Sequence, residues 1–423
     1  MNERDSETLA GMLEEKGYSF INEKKDAQVV ILNTCSVREN ADKRFFGVLG
    51  QLKHSKELNP HKIVAVCGCM MQQQEIIDKV KSKYPWVDLV FGTHNLSEFP
   101  KLFDNVVESR RKIVDIWDDC DRIAEGLPAK RMYDFKAYVS IMQGCNNFCS
   151  YCIVPYTRGR EKSRTPEAIL AEVKQLAESG CREIMLLGQN VNSYAGGITF
   201  AQLLEKIDEV PGIERIRFMT PHPKDISDEL ISCYGRLKHL CKAIHLPVQA
   251  GSDKVLKEMN RHYDRAAYLE IIKKLRAVCP DIAISTDIIV GFPGETEEDF
   301  QDTVDLCKAV RYDSAFTFLY SPRTGTPAAR REDQVPEEVK HERFNRLMDA
   351  IHAIQEEASH KYQDQILDVL VEGPSKTDKS MLTGRTESGK VADFPGCREL
   401  IGKIVPVRIT KAQTFSLYGE IVE

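Results

Sequence analysis

No run in this 423-residue chain is apolar for long enough to cross a bilayer. The longest apolar stretches, such as residues 28–32 and 63–66, have the length of strands. No charged start followed by an apolar stretch opens the chain, so no secretory leader is read there. Internal repeats and low-complexity segments are absent too. Basic charge is not in excess: 58 Lys and Arg against 64 Asp and Glu give a net charge of -6. The whole chain therefore makes no electrostatic case for binding a polyanion, although local patches count for more than the sum. These absences leave a cytoplasmic protein as the expectation, with length enough for two or three domains.

Cysteine, in contrast, is plentiful, with thirteen in the chain. Without a leader, that number argues against a disulfide framework and for metal or redox use. Three of them, Cys145, Cys149 and Cys152, have the spacing C-x3-C-x2-C in the string GCNNFCSYC. Three thiolates on one tight loop can hold three irons of a cubane cluster and leave the fourth open to a chelating substrate. Structural zinc usually takes four protein ligands, and no fourth Cys or His is nearby in the sequence.

The pattern along the chain is α/β. Residues 8–16, 40–54 and 72–84 read as helices and 28–32, 62–67 and 88–91 as strands. This alternation implies a doubly wound parallel sheet, except that a helix stands where the first strand belongs. Cys35 and Cys69 fall just past two of the strands, where ligands of such sheets collect. Residues 116–132 read as a linker. Six strand-like runs follow, at 137–142, 183–187, 215–219, 243–246, 283–290 and 315–320, separated by helices. Six β/α units suit a partial barrel, with the cysteine loop at its mouth. After a long charged helix at 337–363, short strands at 367–372, 381–385, 403–410 and 416–422 suggest a small barrel of the oligonucleotide-binding sort. The expected domains are thus 1–115, 133–360 and 365–423.

The C-x3-C-x2-C loop with Tyr151 before its last cysteine resembles that of radical S-adenosylmethionine enzymes. The longer string GCNNFCSYCIVPYTRGRE at 144–161 is similar to the methylthiotransferase family, nearest its branch acting on isopentenylated tRNA adenosine. NTCSVREN at 33–40, GCM at 68–70, LGQNVNSY at 187–194 and DIIVGFPGET at 287–296 support the match, which covers nearly the whole chain. The resemblance implies two 4Fe-4S clusters and S-adenosylmethionine. A first cluster on Cys145, Cys149 and Cys152 would cleave S-adenosylmethionine to a 5′-deoxyadenosyl radical that takes hydrogen from C2 of the adenosine beside the anticodon. A second cluster would carry the sulfur, with Cys35 and Cys69 matching two of its three family ligands. The third would lie upstream of Met1, together with the absent first strand, so a shortened start is expected. Cys67 is near Cys69 but points along the strand. A terminal barrel like the TRAM domain would bind RNA, and an external reductant such as flavodoxin or ferredoxin would supply the electron. The expected protein is a monomer with no membrane partner. Threonylcarbamoyl-adenosine tRNA or a ribosomal protein aspartate are the alternative targets. A cluster-bearing RNA-binding protein without turnover is the alternative of another class.

Other residues are read more locally. Gln189 and Asn190 follow a strand where related enzymes grip the methionine amino group, though Asn190 could equally cap a helix. In GFPGE at 291–295, Gly291 and Glu295 are expected near the adenine moiety, with a plain strand-to-helix turn as the other explanation. Arg158, Arg160, Lys162 and Arg164, set against Glu161 alone, suggest contact with tRNA phosphates. Cys120, Cys181, Cys233, Cys241, Cys279, Cys307 and Cys397 lack ligand spacing and are expected as small buried hydrophobes. His222, His245 and His262 sit near strand ends as structural or polar lining.

Overall fold

The computed structural model describes residues 1–35, 39–120 and 123–422, with backbone alone for 39–41. It falls into two compact units. One comprises residues 1–132, 140–148 and 152–164, and the other residues 133–139, 149–151 and 165–423.

In the first unit, parallel strands Val29–Thr34, Ile63–Gly68, Leu89–Phe91 and Ile113–Asp115 lie side by side in that order. All six residues of Ile63–Gly68 are buried, because helices cover both faces of the sheet and alternation has no solvent side to face. On one face, Leu9 and Met12 of helix Asn2–Glu15 and Phe99 and Phe103 of helix Phe99–Ser109 pack with Ala65, Cys67 and Phe91. On the other, Phe45 and Leu49 of helix Glu39–Leu58 and Val80 of helix Gln74–Lys83 pack with Val64, Val66 and Val90. The supposed linker is not a free tether. Lys130 N donates to Glu7 O at 2.9 Å, and a Cβ on Gly11 would meet Ala129 N at 2.6 Å, so only glycine lets this segment lie on the first helix.

Five of the six strand runs read from the sequence lie in the second unit, and the run at 137–142 belongs to it as far as Val139. Lys136–Ser140, Glu183–Leu187 and Arg215–Phe218 form one sheet, and Ala243–His245, Ala283–Val290 and Ser314–Leu319 another. A parallel bridge between Ile216 and Leu240 links them. Helices Pro166–Glu178, Arg265–Val278 and Glu297–Val310 start where Thr165, Asp264 and Thr296 side chains accept from backbone N–H groups of the first turn. Thr296 and Asp299 complete a reciprocal capping box.

Helix Glu337–His360 leads to a closed five-stranded barrel. Its strands are Ile366–Pro374, Met381–Thr386, Val391–Pro395, Ile404–Ala412 and Ser416–Ile421, around a core that includes Val369, Phe394, Val407 and Leu417. Two arginines of strand Arg215–Phe218 fasten this barrel. Arg215 donates to Arg385 O and Asp368 O, both at 2.7 Å, and Arg217 to Glu387 O and Thr386 O, both at 2.8 Å. The Glu183 carboxylate, 3.0 Å from Arg217 Nε and 3.8 Å from Arg215 Nη1, offsets one of their two positive charges.

Candidate active site

The two parallel strands that end in NTC and CGC are paired in register, Thr34 opposite Gly68. Cys35 and Cys69 therefore leave neighbouring strand ends, and strands in a sheet are about 4.8 Å apart. Gly68 makes the exit possible. Its φ is 97°, and a Cβ there would meet Thr34 O at 2.3 Å. Cys69 then opens a short 3-10 turn, Cys69–Gln72. The rest of the motif after Cys35, residues 36–38, lies outside the described residues. Cys67, in contrast, is fully buried with Leu9, Met12 and Phe91, and burial pushes its thiol well above the ordinary range. It is a core side chain.

Cys69 has a partner that sequence spacing does not reveal. Arg158 Nε donates to Cys69 Sγ at 2.9 Å, and Arg158 Nη2 pairs with Asp5 at 2.8 Å. Burial pushes the Cys69 thiol up, and the guanidinium works against that rise. Burial also opposes the Arg158 charge, but Cys69 and Asp5 outweigh it and hold the group protonated.

The loop that carries the cysteine trio passes through both units, with Cys145 and Cys152 in the first and Cys149 in the second. None of the three is in a disulfide. In the first unit Cys145 N donates to Gly159 O at 3.1 Å, and Asn146 N to Glu161 Oε1 at 3.0 Å. A Cβ on Gly144 would strike Arg160 O at 2.0 Å, which fixes glycine at the start of the loop. In the second unit Ser150 is pinned on three sides: its N–H donates to Met259 O, its hydroxyl to Glu258 O, and its carbonyl accepts from Ala328 N. Arg261 reaches Cys149 Sγ at 3.4 Å and is itself held by Pro247 O at 2.8 Å and Tyr263 Oη at 2.9 Å. Burial opposes its charge, and Tyr151, Tyr263 and Cys149 more than restore it. Sequence reasoning missed both Arg158 as a cysteine partner and Arg261. Nothing but the fold singles Arg261 out among 58 basic residues.

The basic run needs correction at two of its four members. Arg158 is only 6% exposed and committed to Asp5 and Cys69. Arg164 is also buried, donating to Glu125 at 2.8 Å and to Ser140 O at 2.7 Å. Neither guanidinium is available to a phosphate. Lys162 is half-buried and pairs with Asp119 at 2.6 Å and with Cys120 O. Arg160 is exposed, its guanidinium 4.4 Å from the centroid of the Phe148 ring.

The scattered cysteines also divide. Cys181, Cys233, Cys241, Cys279 and Cys307 are buried as expected, but Cys397 is exposed and Cys120 half-buried. Cys120 Sγ lies 3.7 Å from His94 Nδ1, beside Asp119. The lysine ammonium already paired with Asp119 supplies the positive charge at that spot.

At the barrel mouth, Asn190 is buried and its Nδ2 donates to Asp225 at 2.8 Å. It precedes the turn Val191–Ser193 without capping it, so the capping explanation fails. Gln189, half-buried, sits beside it in a turn held by Thr220 Oγ1 donating to Gly188 O at 2.6 Å. His222 brackets the same region: its N–H donates to Asn192 Oδ1, and its ring stands edge-on to Tyr263. Burial first, then Arg261, push its imidazole down to about 2, so it stays neutral. His245 bonds Ser285 Oγ at 3.0 Å and lies 3.4 Å from Asp287, as polar lining.

Gly291 has φ 76°, and a Cβ there would collide with Lys340. Its N–H donates to Glu295 Oε1 at 3.0 Å, and Arg343 pairs with the same oxygen at 3.1 Å. The Glu295 carboxyl therefore closes its own turn. Burial raises its pKa from 4.5 to about 7, against the Gly291 N–H and Arg343. A carboxyl that binds its proton more tightly when folded contributes stability below about 4.5 that is lost as pH rises through about 7. The melting temperature of wild type relative to Glu295→Gln should fall across that interval. A difference independent of pH would contradict the assignment.

Comparison with known proteins places this geometry. Residues 1–92 match the family described as Uncharacterized protein family UPF0004, residues 139–307 the Radical SAM superfamily, and residues 360–422 the TRAM domain. The chain is 53% identical over 427 aligned positions to a Clostridium perfringens tRNA-2-methylthio-N(6)-dimethylallyladenosine synthase, covering 100% of this chain and 96% of that one. The synthase of the same name from Alkaliphilus oremlandii is 54% identical, with 100% and 91% covered. Among solved structures, the radical S-adenosylmethionine methyltransferase TsrM from Kitasatospora setae superposes with a TM-score of 0.57 at 15% identity, over 77% of this chain and 73% of that one. OxsB, a cobalamin-dependent S-adenosylmethionine radical enzyme, gives 0.51 at 14%, over 83% and 53%. At such identities the two structures speak for the fold alone. At 53% identity over its whole length, with the Radical SAM and TRAM models both matched, the chain belongs to the tRNA-2-methylthio-N(6)-dimethylallyladenosine synthase family of radical S-adenosylmethionine enzymes.

Proposed function

We propose that this chain adds a methylthio group to C2 of N6-isopentenyladenosine at position 37 of tRNA. The observation that carries the reading is identity above one half, end to end, with synthases named for that product. The donor set fits the groups this chemistry needs. Cys145, Cys149 and Cys152 lie on one loop and Cys35 and Cys69 at adjacent strand ends, none of them in a disulfide. The trio would hold the first 4Fe-4S cluster, and the strand-end pair would contribute to the second. Bound there, the clusters and S-adenosylmethionine supply a radical strong enough for an unactivated aromatic C–H, and the sulfur that replaces the hydrogen.

The chain's own residues do the positioning. Ser150 and Arg261 fix Cys149, so its sulfur is presented from a rigid segment. Gln189 and Asn190, in the turn held by Thr220, would meet the amino group of S-adenosylmethionine. Gly291 and Glu295 shape the turn offered to its adenine, with Glu295 acting through the backbone it closes. The RNA-type barrel, fastened by Arg215 and Arg217, carries tRNA affinity together with Arg160 and Lys162. The electron comes from an external carrier of the flavodoxin or ferredoxin kind, to a monomer in the cytoplasm. Among the described residues no helix is long and apolar enough to cross a membrane.

Nucleoside analysis of tRNA from a strain lacking the gene tests the reading. The methylthio-isopentenyladenosine should vanish and its unthiolated precursor accumulate, and unchanged nucleosides would refute it. For the RNA contact, Arg160→Ala should weaken tRNA binding roughly three- to ten-fold. It should also lower the slope of log affinity against log salt by about 0.7–0.9. Affinity lost without a change of slope would mean that Arg160 touches no phosphate.

A further inference from the structure

Arg158 ends the short helix Val154–Arg158, which begins two residues after Cys152. It is 6% exposed, and a charge buried so deeply persists only with partners. One partner is the Asp5 carboxylate at 2.8 Å. The other is Cys69 Sγ at 2.9 Å. The carboxylate alone would balance the charge, yet Nε is spent on sulfur. The same short segment thus carries a ligand of the first site, Cys152, and a donor to the second.

We infer that Arg158 is a positioning residue of the sulfur-supplying site, and that its N–H bond to Cys69 keeps the second cluster easier to reduce. The inference rests on the reading that Cys69 ligates that cluster. A cation and an N–H donor at a cysteine sulfur both stabilise the more negative, reduced state, and hydrogen bonds to ligand sulfur are among the determinants of cluster potential. Arg158→Met removes both effects while filling much of the same space. Arg158→Lys keeps the charge but cannot serve sulfur and carboxylate in the same forked geometry.

The test is a redox titration followed by electron paramagnetic resonance. It uses the complete protein as its cell makes it, with Cys145, Cys149 and Cys152 replaced by alanine so that iron resides at the second site alone. Arg158→Met should lower the reduced-to-oxidised ratio at fixed poise at least ten-fold, which is about 59 mV for one electron. Arg158→Lys should recover part of that shift. Should Arg158→Met fail to retain iron, Arg158→Lys carries the comparison. Arg164→Met is the control for general loosening. Arg164 is a buried arginine of the same segment that donates to Glu125 and Ser140 O, so the potential should stay put. An unchanged potential with iron retained in the Arg158 variants, or an equal shift in Arg164→Met, overturns the inference. Absence of iron in the parent triple variant overturns the ligand assignment itself, before any arginine is altered.

Discussion

Cys149→Ala should abolish 5′-deoxyadenosine formation and remove about four irons per chain, while the protein should still melt as a folded species. Cys149 lies on a segment whose backbone is tied by Ser150 to Met259 and Ala328, contacts that do not use the thiol. Losing the sulfur therefore leaves the loop in place and takes away one of three ligands. Two thiolates cannot hold three irons of a cubane, so the effect on radical formation should be essentially complete. Cys307→Ala is the matched comparison. Cys307 is also buried, in helix Glu297–Val310, and burial pushes its thiol up to about 12, so it is a core side chain. That variant should keep its iron and its radical chemistry and lose only about 1–2 kcal/mol of stability to the small cavity. Iron loss of equal size in both variants would show that folding, not ligation, had been measured.

Arg215→Met should destabilise the chain by roughly 3–5 kcal/mol, with the terminal barrel affected first. The guanidinium is 2% exposed and donates to Asp368 O and Arg385 O, two carbonyls of different barrel strands. Methionine fills the volume but takes a charged donor away from each carbonyl, at about 1–3 kcal/mol for each lost bond. Glu183 keeps Arg217 as its partner, so no carboxylate is stranded. Chemical denaturation should show an early transition, and limited proteolysis should cut near helix Glu337–His360 to release the barrel. A single cooperative transition at the wild-type midpoint would mean that these bonds are not what holds the barrel.

Much of the fold is legible in the sequence because its signals are local. The six core strands are short runs rich in β-branched, aromatic and other apolar residues, and helices such as Arg265–Val278 and Glu297–Val310 begin at capping residues. Strands Ile113–Asp115 and Val391–Pro395 are not legible. The first has three half-buried residues, and the second carries Asp393 and ends in proline. The cysteine trio is visible for the same reason as the strands, since its spacing lies within nine residues. Its supports are not. Arg158 finds Asp5 across 153 positions, Arg261 finds Cys149 across 112, and Arg164 finds Glu125 across 39. Read along the chain, the Arg158 to Arg164 segment has four basic residues and one acid and resembles a solvated face. Only the folded chain buries two of them and brings them their partners. Sequence spacing thus gives the ligands, and tertiary structure gives the groups that set their charge and orientation.

The most direct test of the account is a single anaerobic reaction containing the reconstituted protein, a one-electron reductant, S-adenosylmethionine and tRNA bearing N6-isopentenyladenosine. Mass spectrometry of its small molecules and digested nucleosides should find 5′-deoxyadenosine together with the C2-methylthio nucleoside, and neither product with the Cys149→Ala protein. If the nucleoside stays unmodified in a reaction whose protein holds its full iron, or if methylthiolation persists without Cys149, the account is wrong.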